Sequence, residues 1–253
     1  MLRAVLSLLV HLHGLFETFL QGWGGLLRRP FYGRAIIEQM DVIGVRSSGI
    51  VILTATFTGL VLALQSGYEM AIYGAKMYVG TLLSVSLVRE LGPVLTALIV
   101  TGRVGSAMAA EIGSMAVTEQ IDAMRALGTD PMKKLVTTRL VAATVMTPLL
   151  TAMADAVGIL GGLVVAVSAL GISGSFYWVT VVRALTFDDL TMGIIKPILF
   201  GMLMATVGCY MGMSATGGTR GVGEATTRSV VLTSVLIFAV DFLFTKLFLA
   251  VVH

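Results

Sequence analysis

Five apolar stretches, near positions 43–65, 82–108, 135–170, 194–213 and 230–252, restrict this chain more than any other feature. A bilayer's hydrocarbon core is about 30 Å thick, so a helix needs about 20 apolar residues to cross it. Each backbone N–H and C=O must find its partner inside the segment while it is in lipid, which makes runs of this length helical. Composition agrees: 57% of the 253 residues are apolar and only 12% are charged, against roughly 25% charged in soluble domains. The expected fold is an all-α integral membrane protein with five transmembrane helices. No Pro/Ser-rich linker or charge block divides it.

Residues 1–29 are set apart as an interfacial amphipathic helix, with 30–253 as the membrane domain. Arg3 precedes a leucine-rich run as in a signal peptide, but no small-x-small cleavage pattern follows. Arg3, Ser7, His11, Thr18 and Gln21 fall along one stripe, and Leu2, Leu6, Leu9, Leu12, Phe16, Phe19 and Trp23 along the other. That pattern predicts a helix lying in the headgroup plane. Arg28, Arg29 and Arg34 would then meet anionic headgroups. Of the 17 lysines and arginines, only Lys76, Arg89, Arg183, Lys196 and Lys246 fall outside or within the spans if the N-terminus is cytoplasmic. This bias predicts a C-terminus on the outer side of the membrane. Tyr68, Tyr73 and Tyr78, and the run Phe176, Tyr177 and Trp178, read as interfacial anchors on the outer face. Gly201, Ala205, Gly208 and Gly212 place small residues at three- and four-residue steps, which suits close helix packing.

The stretch EIGSMAVTEQIDAMRALGTDP at 111–131 is a short charged helix pattern between two apolar runs. Glu119, Gln120, Asp122 and Arg125 interleave with Ile121, Met124 and Leu127 at helical spacing, so one face can grip a partner while the other rests on the membrane domain. Thr118 is expected to cap the start, Gly128 to provide a left-handed exit, and Asp130-Pro131 to open the next helix.

Charges inside the apolar runs stand out. Arg89 and Glu90 precede Gly92-Pro93, Lys196 precedes Pro197, and Asp241 lies midway along the fifth run. Each costs about 2.5–3.5 kcal/mol on insertion scales unless partnered or hydrated, so all are expected to point inward. Arg89 or Lys196 pairing with Glu90 or Asp241 is one reading, and a polar site for a substrate headgroup is the other. Asp155, among Ala and Gly, reads as a helix-packing residue outside the site. The turn GGTRGVGEATTR at 217–228 is read as a flexible connection; it lacks the Gly-Lys-Ser/Thr ending of a nucleotide loop. The single cysteine, Cys209, permits no internal disulfide, and His11, His13 and His253 lack metal-site spacing.

The run VRELGPVLTALIVTGRVGSAMAAEIGSMAVTEQIDAMRALGTDP at 88–131, with GVGEATTRSVV at 221–231, resembles the MlaE/YrbE permease family of Mce-associated ABC transporters. The likeness covers nearly all of the chain after the N-terminal helix. It implies a non-catalytic permease of the bacterial inner membrane that works as a homodimer with two copies of a cytoplasmic ABC ATPase. ATP and Mg would be bound by that partner, and this chain would hold no cofactor. The resemblance further implies a periplasmic MCE-domain protein that exchanges phospholipid with the permease, in some systems a STAS-domain subunit, and a contribution to outer-membrane lipid asymmetry. Carried onto this chain, Thr118, Glu119, Gln120, Asp122, Met124 and Arg125 belong to the coupling helix. Arg89, Glu90, Lys196 and Asp241 surround an outward-facing lipid cavity, with Tyr73 near its mouth. Leu62, Leu64 and Met70 are expected to supply apolar walls for acyl chains, and Arg89 or Lys196 to hold the phosphate. The rival expectations are a passive scaffold or channel uncoupled from ATP, and an intramembrane lipid-modifying enzyme using Glu90 or Asp241.

Overall fold

The computed structural model describes residues 2–27 and 32–252, so Arg28 and Arg29, expected to meet anionic headgroups, and His253 lie outside the described residues. Helix α1 is Leu2–Gly24, α2 is Gly33–Ile72 and α3 is Lys76–Val117. A short α4, Gln120–Ala126, follows, then α5, Met132–Ser168, and α6, Gly174–Ala184. The chain closes with α7, Phe187–Met213, and α8, Gly218–Val252. Five of these, α2, α3, α5, α7 and α8, are long and apolar enough to cross a membrane. No strand occurs among the described residues. The chain is an all-α integral membrane protein.

The helices outrun the apolar stretches that announced them. Hydropathy marks only the part of a helix that suits hydrocarbon, whereas the helix continues until the backbone is made to turn. Turning happens at Gly74, Gly128, Gly171, Gly217 and Gly218, all with positive φ, where glycine adopts the left-handed conformation without a Cβ clash, and at the non-glycine Glu119, with φ 59°. The expected flexible connection at 217–228 is a correction of this kind. Only Gly217 and Gly218 turn, and residues 218–228 form the opening turns of α8. Glu224 there pairs with Arg220 at 3.3 Å and Arg228 at 3.4 Å, both one helical turn away.

The chain forms two compact units, one from residues 1–43, 100–146 and 199–253, the other from 44–99 and 147–198. In the first, Ile112, Ile121, Leu135, Val136 and Cys209 make a buried cluster edged by Met115, Met124, Met132 and Met213. The small residues of α7 work as expected: a Cβ at Gly208 would lie 3.2 Å from the Gly105 carbonyl oxygen, and one at Gly212 3.0 Å from that of Ala109. Helix α1 packs on the unit through its small and polar residues. Thr18 is buried, Gly22 accepts a hydrogen bond from the Thr137 hydroxyl at 2.7 Å, and His11 Nδ1 meets the Tyr210 hydroxyl at 2.9 Å. Leu9, Leu12, Phe16 and Leu20 face outward. Small residues let α1 approach its neighbours, which leaves its large side chains for acyl chains.

In the second unit, Leu83, Leu87, Val88, Ile159, Tyr177 and Val181 lie within one buried cluster. Tyr177 corrects the anchor reading. Phe176 and Trp178 are exposed, but Tyr177 is fully enclosed, and its hydroxyl donates to the Ile159 carbonyl at 2.9 Å. Burial pushes its phenol up to about 12, so the donated proton stays in place at neutral pH. The source of the difference is α6, an amphipathic helix opened by the Ser173 side chain, which accepts from the Phe176 N–H; one of each consecutive aromatic trio must face inward.

Close helix contact in this unit depends on Gly59, where a methyl group would overlap the Gly158 carbonyl oxygen. Gly49, on the same helix, has open space around it. Gly59→Ala is expected to lower stability by about 1–3 kcal/mol through overpacking, while Gly49→Ala leaves it unchanged or raises it, since alanine favours helix. Thermal unfolding of the purified variants checks both.

Candidate functional site: paired charges at a proline-opened turn, and an exposed short helix

Pro93 has no N–H to give the carbonyl four residues earlier, that of Arg89. The backbone there widens into a π turn over Leu87–Leu91, with the Gly92 N–H reaching the Leu87 carbonyl. The freed Arg89 carbonyl accepts from Lys196 Nζ at 2.9 Å. The same ammonium donates to Glu90 Oε2 at 2.6 Å. Lys196 is completely buried, whereas the Glu90 side chain is 40% exposed. A buried ammonium is tolerable only with such partners. Gly193 lets α7 come this close, since a Cβ there would lie 3.1 Å from the Val88 carbonyl oxygen.

Arg89 itself pairs with Asp189, a residue that the sequence reading did not select. Asp189 is fully buried and its other oxygen accepts from the Thr186 backbone N–H and hydroxyl, each at 2.8 Å. The Asp189 N–H reaches back to the Thr186 hydroxyl at 3.4 Å, completing a reciprocal cap at the start of α7. The signal was present as Thr-Phe-Asp-Asp before an apolar run. It was missed because such a cap reads as a helix start and not as an ion-pair partner. Of the pairings expected, Lys196 with Glu90 forms. Asp241 belongs to the first unit and is half-buried on α8.

The wall residues scatter. Leu62 lines a groove of about 380 Å³ with Phe57, Val61, Gln65 and Leu91, and Met70 lines a separate one of about 360 Å³ with Tyr78 and Leu82. Leu64 is exposed on α2, and Tyr73 is 82% exposed at its end.

In the first unit, α4 sits as its pattern required on one side and departs from it on the other. Ile121 is buried and Met124 packs against the same cluster. Met124 therefore anchors the helix. Glu119, Gln120, Asp122 and Arg125 are exposed, and Leu127, expected on the inner face, is 83% exposed. Thr118 does not cap α4: its hydroxyl donates to the Ser114 carbonyl at 2.7 Å and accepts from Gln120 Nε2 at 3.0 Å. It closes α3 instead, because the reversal happens one residue later, at Glu119 with φ 59°. The exit follows the sequence: Gly128 has φ 73°, the Thr129 N–H reaches the Met124 carbonyl at 2.9 Å, and Asp130 Oδ1 accepts from the Met132 N–H at 3.0 Å. In the same unit, Arg139 is buried and pairs with Glu111 at 2.7 Å.

Removing one partner of a buried ion is costlier than removing the ion. Glu90→Gln is expected to destabilise by about 3 kcal/mol, the low end for a broken buried pair, Lys196→Met by less, and the double variant to recover part of the Glu90→Gln loss. A double-mutant cycle in thermal unfolding measures this coupling.

The sequence profile described as "Permease MlaE" matches residues 36–247. A probable ABC transporter permease protein of Synechocystis is 43% identical over 226 residues, covering 89% of this chain and 84% of its own. One from Rickettsia prowazekii is 40% identical over 239 residues, covering 94% and 92%. The intermembrane phospholipid transport system permease protein MlaE of Haemophilus influenzae is 33% identical over 229 residues, covering 89% and 88%. The chain belongs to the MlaE permease family.

Proposed function

We propose that this chain is the membrane permease of an ABC transporter that moves phospholipid between the inner membrane and a periplasmic MCE-domain partner, with α4 as the element on which a cytoplasmic ATPase pushes. The observation that carries the reading is the construction of α4. It is fixed to the protein through Ile121 and Met124, and it offers Glu119, Gln120, Asp122, Arg125 and the apolar Leu127 to the outside. A helix held on one face and bare on the other transmits a load from a soluble partner to α3 and α5, the helices that flank it in the chain. The phospholipid substrate is supported by the name of the Haemophilus relative.

In this reading two copies of the chain share an apolar chamber, and ATP binding in the partner closes two ATPases, moves both copies of α4, and expels a lipid toward the periplasm. Direction of net transport is set by the partners. The N-terminus and α4 lie on the cytoplasmic side. Outer-membrane lipid asymmetry is the physiological consequence, and a STAS-domain subunit regulates the ATPase in systems that have one. Between the two cations proposed for the phosphate, Arg89 is the one with exposure to offer, since its side chain is 40% exposed and that of Lys196 is buried. Glu90 and Lys196 then hold the turn that presents it.

The charges of α4 give the test. Among the described residues Arg125 pairs with Asp122 of its own helix, at 2.7 Å and in the open, a bond of small energetic value. Reversing Glu119→Arg with Arg125→Glu is therefore expected to leave thermal unfolding unchanged while abolishing co-purification of the partner ATPase and its stimulation by the permease. Retained association and lipid transfer would remove α4 from the coupling role.

A further inference from the structure

Asp155 on α5 is 8% exposed, and its Oδ1 is buried without a hydrogen-bond partner among the described residues. Buried polar atoms are nearly always partnered, so an orphan oxygen points to a missing donor. The atom lies against Gly92, where any Cβ would overlap it. Glycine at 92 thus leaves room for the carboxyl as well as loosening the backbone before Pro93.

Asp155 lines a cavity of about 260 Å³ enclosed by α2, α3 and α5 within the second unit. Thr54 and Thr58 line it too. Their hydrogens are spent on their own helix: Thr54 donates to the Ile50 carbonyl at 2.7 Å and Thr58 to the Thr54 carbonyl at 2.8 Å. These hydroxyl oxygens, like Asp155 Oδ1, are left to accept. No Lys, Arg or His among the described residues lines the cavity. A carboxyl with accepting hydroxyls and no cation repels phosphate and attracts a donor, best a positively charged one. The apolar groove of Phe57, Val61 and Leu62 shares Thr58 and Leu91 with the cavity. A chamber with these acceptors, lined also by the Thr96 hydroxyl, adjoining a greasy groove is complementary to an amphiphile with a donor at its polar end.

We propose that the Asp155 cavity is a subsite for the primary ammonium of an aminophospholipid, whose acyl chain follows the adjoining groove. The proposal rests on the phospholipid reading above and names a headgroup preference within it. The ammonium would supply the donor that Oδ1 lacks, with Thr54 and Thr58 accepting its other hydrogens. A quaternary ammonium of the same charge has no N–H to give, so it isolates the hydrogen bonds from the charge.

The full chain in nanodiscs of equal phosphatidylethanolamine and phosphatidylcholine, followed by native mass spectrometry of retained lipid, tests this. The wild type is expected to favour phosphatidylethanolamine by about tenfold, the size of a lost hydrogen bond to a charged group. Asp155→Asn, nearly isosteric, is expected to bring the preference to within about twofold, and Thr58→Val to cut it by about threefold. Thr58→Val keeps the proposal testable should the Asn variant fail to fold. Equal retention of the two lipids by the wild type, or an unchanged preference in either variant, overturns the subsite and leaves the transport reading standing. Stability that rises with sodium in the wild type but not in Asp155→Asn, without lipid preference, overturns it in favour of a cation site. Retention of no phospholipid at all defeats the transport reading itself.

Discussion

A buried ammonium ties the second unit together. Lys196 has no exposure, and the cost of that placement is met by two acceptors from one turn of α3, the Glu90 carboxylate and the Arg89 carbonyl. The second acceptor exists because Pro93 cannot use it. A proline in α3, a lysine in α7 and the glycine at 193 that lets the two helices approach are thus one device. The neighbouring pair of Arg89 and Asp189 repeats the logic with the burial reversed, the carboxylate enclosed and the guanidinium partly open. Charged residues that look unaffordable in an apolar run become the means by which two helices are held in one register.

The other π turns also contain charged residues: Asp41 in Asp41–Val45, Arg103 in Thr101–Gly105, and Lys133 and Lys134 in Met132–Thr137. An extra residue in a turn rotates the side chains that follow by about 100°. A helix that changes its face in this way can satisfy an internal charge on one stretch and offer a smooth apolar surface on the next.

Much of this was legible in the sequence, for reasons that differ by element. The five spans were readable because lipid imposes a length, and the exit of α4 because Gly128 and Asp130-Pro131 act locally. The pairing of Lys196 with Glu90 was readable because few partners exist inside an apolar run. What escaped depended on three-dimensional choice among equivalent residues. Tyr177, not Phe176, is enclosed because α6 turns it inward; Asp189 joins Arg89 though its sequence context announces only a helix cap. Asp155 looked like a packing residue, and its significance depends on a neighbour, Gly92, that is far from it in the chain.

The central claim is that a partner carrying the ATPase activity grips α4 and moves it. Ala126 is exposed on that helix, and the single native cysteine, Cys209, is buried, so a thiol introduced as Ala126→Cys reports on α4 against a silent background. Maleimide labelling of this variant in native membranes measures the contact directly. The account predicts protection when the partner ATPase is present, a change in that protection on adding ATP, and free labelling when the partner is removed. Equal labelling under all three conditions would contradict it.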